Sequence, residues 1–346
     1  MNNAAPSDSI VAVIRRARDL VASRGVRDAI DLLTESNRHA RSDQFERALV
    51  RIRRDAAQEL AHTVPSTRER IVAEPSDGRV VEVEAADLSV ASLRDGLARS
   101  GCLLVRGLVD AERVANLVKG IDSALASADA ASGGAAPIDR GWYNPGPMPD
   151  RDASGLPASA NRRFLRERGG LWTIDSPRML FELFEVVDEV GIGSLMTDFL
   201  GERPLLSALK CTLRRVPPDL VVVGGWHQDG AFLGDHVGAF NLWLSLSHCG
   251  QDAPGLDILP KRVDRVLQSD DGSRFDWSLS DDAVRAAAGG SAIVRPEFRP
   301  GDALLFDHLL VHRTATSPEM TQPRHAIESW FFAPSAYPAG QLPILY

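Results

Sequence analysis

Apolar and polar positions divide the chain into a helical first part and a longer part in which short strands dominate. Between residues 8 and about 62, apolar side chains recur every three or four positions, the spacing of amphipathic helices. This pattern predicts three helices: one ending at Gly25, one over residues 26–33, and one from Ser42 to about Ala61. The apolar stripe of the third helix needs a surface to pack on. We therefore consider both the body of the chain and a homo-oligomer formed through these helices.

A stretch rich in proline, glycine and serine, between about residues 64 and 78, separates these helices from the rest of the chain. We therefore expect a helical extension over residues 1–75 and one domain over residues 76–346. The pattern at the start of this domain predicts a strand at residues 80–83, helices at 87–99 and 110–127, and a buried strand at 102–105 between them.

The remainder of the domain predicts a long loop, a helical segment and then a series of strands. Residues 128–170 are rich in glycine and proline and predict the loop, whereas residues 175–200 predict helices. The segment from 261 to 290 carries many aspartates and predicts a solvated loop and helix. Strands are predicted at residues 209–215, 221–223, 239–247, 256–259, 292–294, 303–306, 309–311 and 326–332.

Short strands between glycine and proline turns are typical of a jelly roll. The fold class that we expect is therefore mainly β with flanking helices (α+β). Its core would be a double-stranded β-helix of the jelly-roll or cupin-like kind, preceded by the N-terminal helical extension.

The composition indicates where the protein is located and which classes of partner it binds. The formal net charge of −8 and a pI near 5.5 argue against nucleic acid as a partner. No apolar run approaches the roughly 20 residues that span a bilayer, and no signal peptide opens the chain. The three cysteines are too few and too scattered for a disulfide framework. We expect a cytoplasmic protein with a small-molecule substrate and no membrane partner.

Candidate chemistry is concentrated after the apolar run at residues 221–223, where His227 and Asp229 follow two positions apart. In extended backbone such residues point to the same side. His312 follows a second apolar run at residues 309–311. Two histidines and one carboxylate form the triad that leaves positions open on Fe(II). His308, four residues before His312, would be an alternative ligand if that segment were helical.

Arg324 lies twelve residues beyond His312, at the start of the last long predicted strand. A guanidinium at this position can hold a dicarboxylate through two parallel hydrogen bonds. Together with the triad, it favours a 2-oxoglutarate-dependent non-haem iron dioxygenase.

At these residues the chain resembles the phytanoyl-CoA dioxygenase family, over roughly residues 85–335. The resemblance includes residues 101–108, the HxD of His227 and Asp229, residues 253–260, and residues 299–302 leading to His312 and Arg324. It implies Fe(II), 2-oxoglutarate and O2 as the cofactors. It also implies that Thr314, Trp243 and Thr212 contact 2-oxoglutarate together with Arg324. A lysine of the family that touches 2-oxoglutarate is missing from residues 171–173.

The carboxylate at position 229 indicates oxidation of the substrate, because related radical halogenases have Ala or Gly there and bind chloride instead. We expect hydroxylation of a small organic molecule, secondary-metabolite or lipid-like, with succinate and CO2 as co-products. Desaturation, ring closure or epimerisation at the same iron site stay open as alternatives, as does a non-catalytic jelly-roll binding protein. Candidate substrate contacts are Trp142, Tyr143, Trp172 and Gln228; the alternative for the aromatic residues is that they fasten the long loop to the body.

Overall fold

A computed structural model describes residues 6–23, 25–61, 71–134, 139–146, 158–219, 225–273 and 275–346. The predicted strand at residues 221–223 lies outside this part of the chain. No helix among the described residues is both long and apolar enough to cross a membrane. Cys102, Cys211 and Cys249 are free and buried.

The strands form two sheets. Their bounds are β1 (Val81–Glu84), β2 (Cys102–Arg106), β3 (Gly170–Trp172), β4 (Leu205–Val216), β5 (Trp226–His227), β6 (Ala239–Ser245), β7 (Gly255–Ile258), β8 (Ser278–Leu279), β9 (Ala303–Phe306), β10 (His312–Ala315), β11 (Arg324–Phe332) and β12 (Pro343–Leu345). An eight-stranded sheet runs in the order β1-β2-β9-β6-β11-β4-β12, with β3 also paired to β4. A four-stranded sheet runs in the order β7-β10-β5-β8.

The bounds of the helices are α1 (Pro6–Ser23), α2 (Val26–His39), α3 (Asp43–Ala57), α4 (Val90–Ser100), α5 (Ala111–Ser132), α6 (Ala158–Glu167), α7 (Pro177–Glu189), α8 (Ile192–Leu200), α9 (Gly230–Leu233) and α10 (Asp281–Ala288). Helices α4, α5, α7 and α8 share the main apolar core with the eight-stranded sheet, whereas α10 packs beside the four-stranded sheet. Local capping sets several of these starts: the Ser42 side chain accepts from Gln44 N–H and the Asp110 side chain accepts from Arg113 N–H.

The two sheets face each other across a core, as the jelly-roll prediction requires. Side chains alternate along a strand, so Arg324 and Glu328 lie on the same face of β11. That face looks toward the four-stranded sheet, because Arg324 donates a hydrogen bond to the Gly255 carbonyl on β7. Phe306 on β9 likewise contacts His312 on β10, with ring centroids 5.3 Å apart. The predicted fold class is confirmed.

The N-terminal helices pack on the body of their own chain. Phe45 and Leu49 of α3 are buried in one apolar cluster with Phe181 of α7. Arg38 of α2 forms an ion pair with Glu185 of α7, with Nε 2.7 Å from Oε2. The apolar stripe of α3 is therefore covered within the chain, and a role of these helices in a homo-oligomer stays a prediction.

A buried carboxylate joins α3 to α7. The Glu46 side chain is fully buried, and Arg178 Nε donates to its Oε1 over 2.9 Å. Arg178 also reaches Asp139, with Nη1 2.7 Å from Oδ2. Burial raises the pKa of Glu46, while the guanidinium opposes that shift. Because a buried anion without its hydrogen-bonded partner is costly, Arg178 contributes to this docking beside the apolar cluster and the Arg38–Glu185 ion pair.

Replacing Arg178 by methionine is expected to lower the free energy of unfolding by about 3 kcal/mol at neutral pH, because Glu46 loses the cation that hydrogen-bonds it and keeps only Arg41, at 3.8 Å. The loss should shrink as the pH falls, since burial raises the pKa of Glu46 and its protonated form carries no charge. Urea unfolding of the wild type and Arg178→Met at several pH values measures both effects. The exposed Arg140→Met serves as the control, and equal midpoints for all three proteins would contradict the prediction.

Four segments differ from the sequence-based expectation. Residues 292–294 do not form a strand, and only Val294 makes an isolated bridge, with Ile258. Residues 158–167 form helix α6 within the predicted long loop. Residues 309–311 are not a strand, and the strand begins at His312 instead. Residues 261–290 are not simply a solvated loop and helix, because Leu279 of β8 and Val284 of α10 are buried in a cluster with Trp226. This segment therefore supports the end of β5.

Candidate active site

His227 and His312 are brought together by strand pairing. His227 ends β5 and His312 begins β10, and the two residues are directly opposite each other in this antiparallel pair. Directly opposed side chains on neighbouring strands are close to each other. The two imidazole centroids are 4.4 Å apart. Asp229 follows His227 after one residue and begins the turn into α9.

One ligand atom from each of His227, Asp229 and His312 lies within 4.8 Å of the others. Nδ1 of His227 lies 3.1 Å from the Gly225 carbonyl oxygen, and Nδ1 of His312 lies 3.1 Å from that of Leu310. A carbonyl only accepts, so each Nδ1 carries the proton and each Nε2 keeps a free lone pair. The three residues thus present two nitrogens and one carboxylate.

Burial, and secondarily the neighbouring His312, lowers the pKa of His227 to about 3. The imidazole is therefore neutral at physiological pH, which is the form that binds a metal. Two imidazoles and one carboxylate suit iron and leave further positions for other ligands. Among the described residues, this is the group of His, Cys, Asp and Glu side chains that can hold a metal ion.

His308 and Gln228 lie away from this group. Nε2 of His308 is 3.3 Å from the Asp235 carbonyl oxygen, so the alternative ligand of the sequence analysis is not part of the triad. The Gln228 amide donates to the Leu309 carbonyl over 2.6 Å and accepts from Leu267 N–H over 2.7 Å. These bonds tie Gln228 to the backbone behind the turn, and its predicted contact with substrate stays a prediction.

Arg324 is a buried cation on the inner face of β11. Nη1 donates to the Gly255 carbonyl oxygen over 3.0 Å, while Nε has no hydrogen-bond partner among the described residues. No carboxylate of the described residues lies within ion-pair distance of this guanidinium. Burial lowers the pKa of Arg324 to about 10, so the group remains charged at neutral pH. A buried charge of this kind is costly unless a ligand supplies the opposite one. The site therefore fits a carboxylate.

The other predicted contacts of 2-oxoglutarate lie around Arg324. The Trp243 ring is 5.6 Å from its guanidinium. Thr314 lies two residues beyond His312 on β10 and thus on the same side of that strand. Thr212 on β4 is opposite Glu328 on β11, which in turn is opposite Trp243 on β6. All of these side chains belong to the inner faces of the two sheets.

A charged pair that the sequence did not predict lies among these residues. Glu328 Oε2 lies 3.8 Å from Arg214 Nη2, and Arg214 Nε donates to Thr212 Oγ1 over 3.1 Å. Burial lowers the pKa of Arg214, and Glu328 opposes that shift. The alternation of Arg324, Ala326 and Glu328 along β11 is the signal that places Glu328 in the barrel.

The predicted aromatic contacts divide between the body and the barrel. The Trp142 ring lies 4.7 Å from the Arg178 guanidinium, next to α7, so it helps to fasten its loop to the body. Tyr143 is half-buried, and burial together with Asp175 raises its pKa. Trp172 on β3 is directly opposite Thr212 on β4. Of the three aromatic residues predicted to contact substrate, Trp172 is therefore the one that strand pairing places beside Thr212, inside the barrel.

Three further residues surround the triad, and none was anticipated. The rings of Phe232 and Trp277 lie 6.4 and 5.8 Å from that of His227. Lys210 on β4 places Nζ 3.8 Å from Asp229 Oδ1 and 3.6 Å from the Phe232 ring centroid. Trp277 comes from the segment predicted to be solvated, so only the pairing of β8 with β5 reveals its position.

Comparison with known proteins agrees with this geometry. A sequence profile of the phytanoyl-CoA dioxygenase (PhyH) family matches residues 97–326. No curated protein matches the sequence significantly. Among solved structures, EctD from S. alaskensis with 2-oxoglutarate and 5-hydroxyectoine is 17% identical, with 79% of this chain and 83% of that chain covered at a TM-score of 0.50. AviO1 from Streptomyces viridochromogenes Tue57 is 18% identical, with 73% of this chain and 98% of that chain covered at a TM-score of 0.45. The carbocyclase SnoK from nogalamycin biosynthesis is 13% identical, with 72% of this chain and 86% of that chain covered at a TM-score of 0.47.

The fold and the family profile define an oxygenase that depends on iron and 2-oxoglutarate. Since the family profile covers most of the sequence, the chain belongs to the phytanoyl-CoA dioxygenase family. The resemblance stated from the HxD, the distal histidine and the distal arginine is confirmed. Fe(II) and 2-oxoglutarate are accordingly the metal and the co-substrate of the class to which the protein belongs.

Proposed function

We propose that the protein hydroxylates a small organic molecule, secondary-metabolite or lipid-like, and forms succinate and CO2 as co-products. The observation that carries this proposal is the combination of the triad with Arg324. Three potential ligand atoms lie within 4.8 Å of one another, and a buried guanidinium without a carboxylate partner faces the same barrel. Bound Fe(II), together with 2-oxoglutarate and O2, supplies the oxidising power.

The protein's own residues hold and orient the reactants. His227 and His312 present Nε2 lone pairs that their Nδ1 contacts keep in place. Asp229 adds the one negative charge of the triad. Arg324, with Thr314 beside it, takes the distal carboxylate of 2-oxoglutarate, and Trp243 and Thr212 border that molecule. A charge-assisted contact of this kind fixes both the position and the direction of the dicarboxylate.

The substrate approaches on the side of the triad lined by Phe232 and Trp277, with Trp172 on the facing strand as a further wall. Aromatic walls exclude water from the reacting centre and favour a substrate with an apolar part. Desaturation, ring closure and epimerisation use the same ligands, so product analysis decides among them. A non-catalytic binding protein has no use for an open metal site beside an uncompensated cation.

The wild-type protein is expected to bind Fe(II) and 2-oxoglutarate together under anaerobic conditions, with a visible charge-transfer band that reports chelation of the iron by 2-oxoglutarate. The measurement is a titration of the full-length apoprotein with Fe(II), with and without 2-oxoglutarate, followed by succinate release in air. Succinate alone replaces 2-oxoglutarate in the control and should give no band. A wild-type protein that takes up no iron and gives no band would overturn the oxygenase assignment and favour the binding protein.

A further inference from the structure

Lys210 reaches from the middle of β4 into the barrel, where the triad of the four-stranded sheet faces it. Its Nζ lies 3.8 Å from Asp229 Oδ1 and 3.6 Å from the centroid of the Phe232 ring. The lysine side chain is 27% exposed, whereas that of Asp229 is 5% exposed. A partly exposed cation of the eight-stranded sheet therefore contacts a buried carboxylate of the triad.

The two oxygens of Asp229 have different neighbours. Oδ2 lies 3.7 Å from Nε2 of His312, and Oδ1 faces Lys210. Asp229 caps helix α9, yet its side chain accepts no hydrogen bond from the helix backbone. Within the described ranges, the ion-pair neighbours of Asp229 are thus His312, itself a potential metal ligand, and Lys210. Lys210 is therefore the residue outside the triad that restrains this carboxylate.

From this arrangement, and resting on the iron site proposed above, we propose that Lys210 is a positioning residue that keeps Asp229 a one-oxygen ligand. The ammonium engages Oδ1 and leaves Oδ2 for the metal. A carboxylate that bound through both oxygens would occupy a position that the triad otherwise leaves open for 2-oxoglutarate or O2. Partners of metal ligands commonly set ligand orientation in this way.

The identity of the cation supports this role. The sequence has 39 basic residues, and the only lysines are Lys119, Lys210 and Lys261. A guanidinium tends to grip both oxygens of a carboxylate in parallel, which would compete with the metal for Oδ2. An ammonium is a compact charge and can hold a single oxygen. Lysine is therefore the basic side chain suited to dividing the two oxygens.

The test counts the water molecules on a bound metal. Mn(II) replaces Fe(II) in the full-length protein, and water-proton relaxation reports the open positions per bound ion without any turnover. Lys210→Met and Lys210→Gln should both lose about one third of the relaxation enhancement, because a second Asp229 oxygen takes one open position. Both variants should also bind 2-oxoglutarate about 10-fold more weakly. Lys119→Met, on the exposed face of α5, is the matched control and should behave as the wild type.

The outcomes separate this proposal from the proposed function. If Lys210→Met folds, binds Mn(II) and keeps the wild-type relaxation enhancement, Lys210 does not position Asp229. In that case a weaker affinity for 2-oxoglutarate or substrate would assign the lysine to those ligands instead. If the wild-type protein binds neither Mn(II) nor Fe(II), the iron site itself fails. Thermal unfolding of the metal-free variants checks that a lost signal does not come from a lost fold.

Discussion

Replacing Asp229 by alanine is expected to weaken Fe(II) binding at least about 100-fold, because even the loss of a residue that merely supports a ligand costs 10–100-fold. Succinate formation coupled to substrate oxidation should disappear with it. Asp229 provides the one negative charge of the triad, and two neutral imidazoles do not replace it. The substitution also leaves the Lys210 ammonium without its 3.8 Å partner, so that its positive charge repels the incoming metal.

The measurement is an anaerobic Fe(II) titration combined with quantification of succinate. Asp235→Ala is the matched control, because Asp235 is exposed in the loop that follows α9 and lies outside the triad. This variant should retain wild-type affinity and activity. Equal iron affinity and succinate yield for Asp229→Ala and the wild type would show that Asp229 is not a ligand of the metal.

The elements that the sequence predicted well are those whose own pattern determines their position. Three helices at the N-terminus, strand β2 after Gly101 and strand β11 from Arg324 all follow from local apolar spacing and caps. Helix α6 does not, since its residues are mostly polar and its contacts are distant in sequence. Arg162 pairs with Asp175 and Arg166 pairs with Asp129, at 2.8 and 2.6 Å. Such ion pairs depend on the tertiary fold and leave no periodic signal.

The same distinction applies to the candidate site. His227 and Asp229 could be placed on one side of the chain from their spacing alone, and His312 from its order relative to them. Lys210, Phe232 and Trp277 could not, because each comes from a different element. Lys210 reaches the triad across the two facing sheets, Trp277 lies next to β8, which pairs with β5, and Phe232 belongs to the α9 turn. A pattern along one strand indicates which side a residue takes, but not which residue of another sheet it meets.

Replacing Arg324 by methionine is expected to raise the dissociation constant for 2-oxoglutarate about 100-fold, because the complex loses a charge-assisted double hydrogen bond. Iron affinity should change little, because Arg324 is not a member of the triad. The metal-free protein should be as stable as the wild type or more stable, since burial already disfavours the charge and the described residues give it no carboxylate. This opposition between lost binding and preserved stability distinguishes a ligand contact from a structural one.

Thermal unfolding with increasing 2-oxoglutarate, in the presence of a saturating metal, measures both quantities in one series. For the wild type, a concentration 100 times the dissociation constant should add about 2.7 kcal/mol of stability, and the same concentration should add only about 0.4 kcal/mol to Arg324→Met. Arg299→Met removes an exposed arginine and should follow the wild type. If Arg324→Met instead unfolds at a lower temperature than the wild type without ligand, and 2-oxoglutarate stabilises both proteins equally, the guanidinium stabilises the barrel and does not bind the co-substrate.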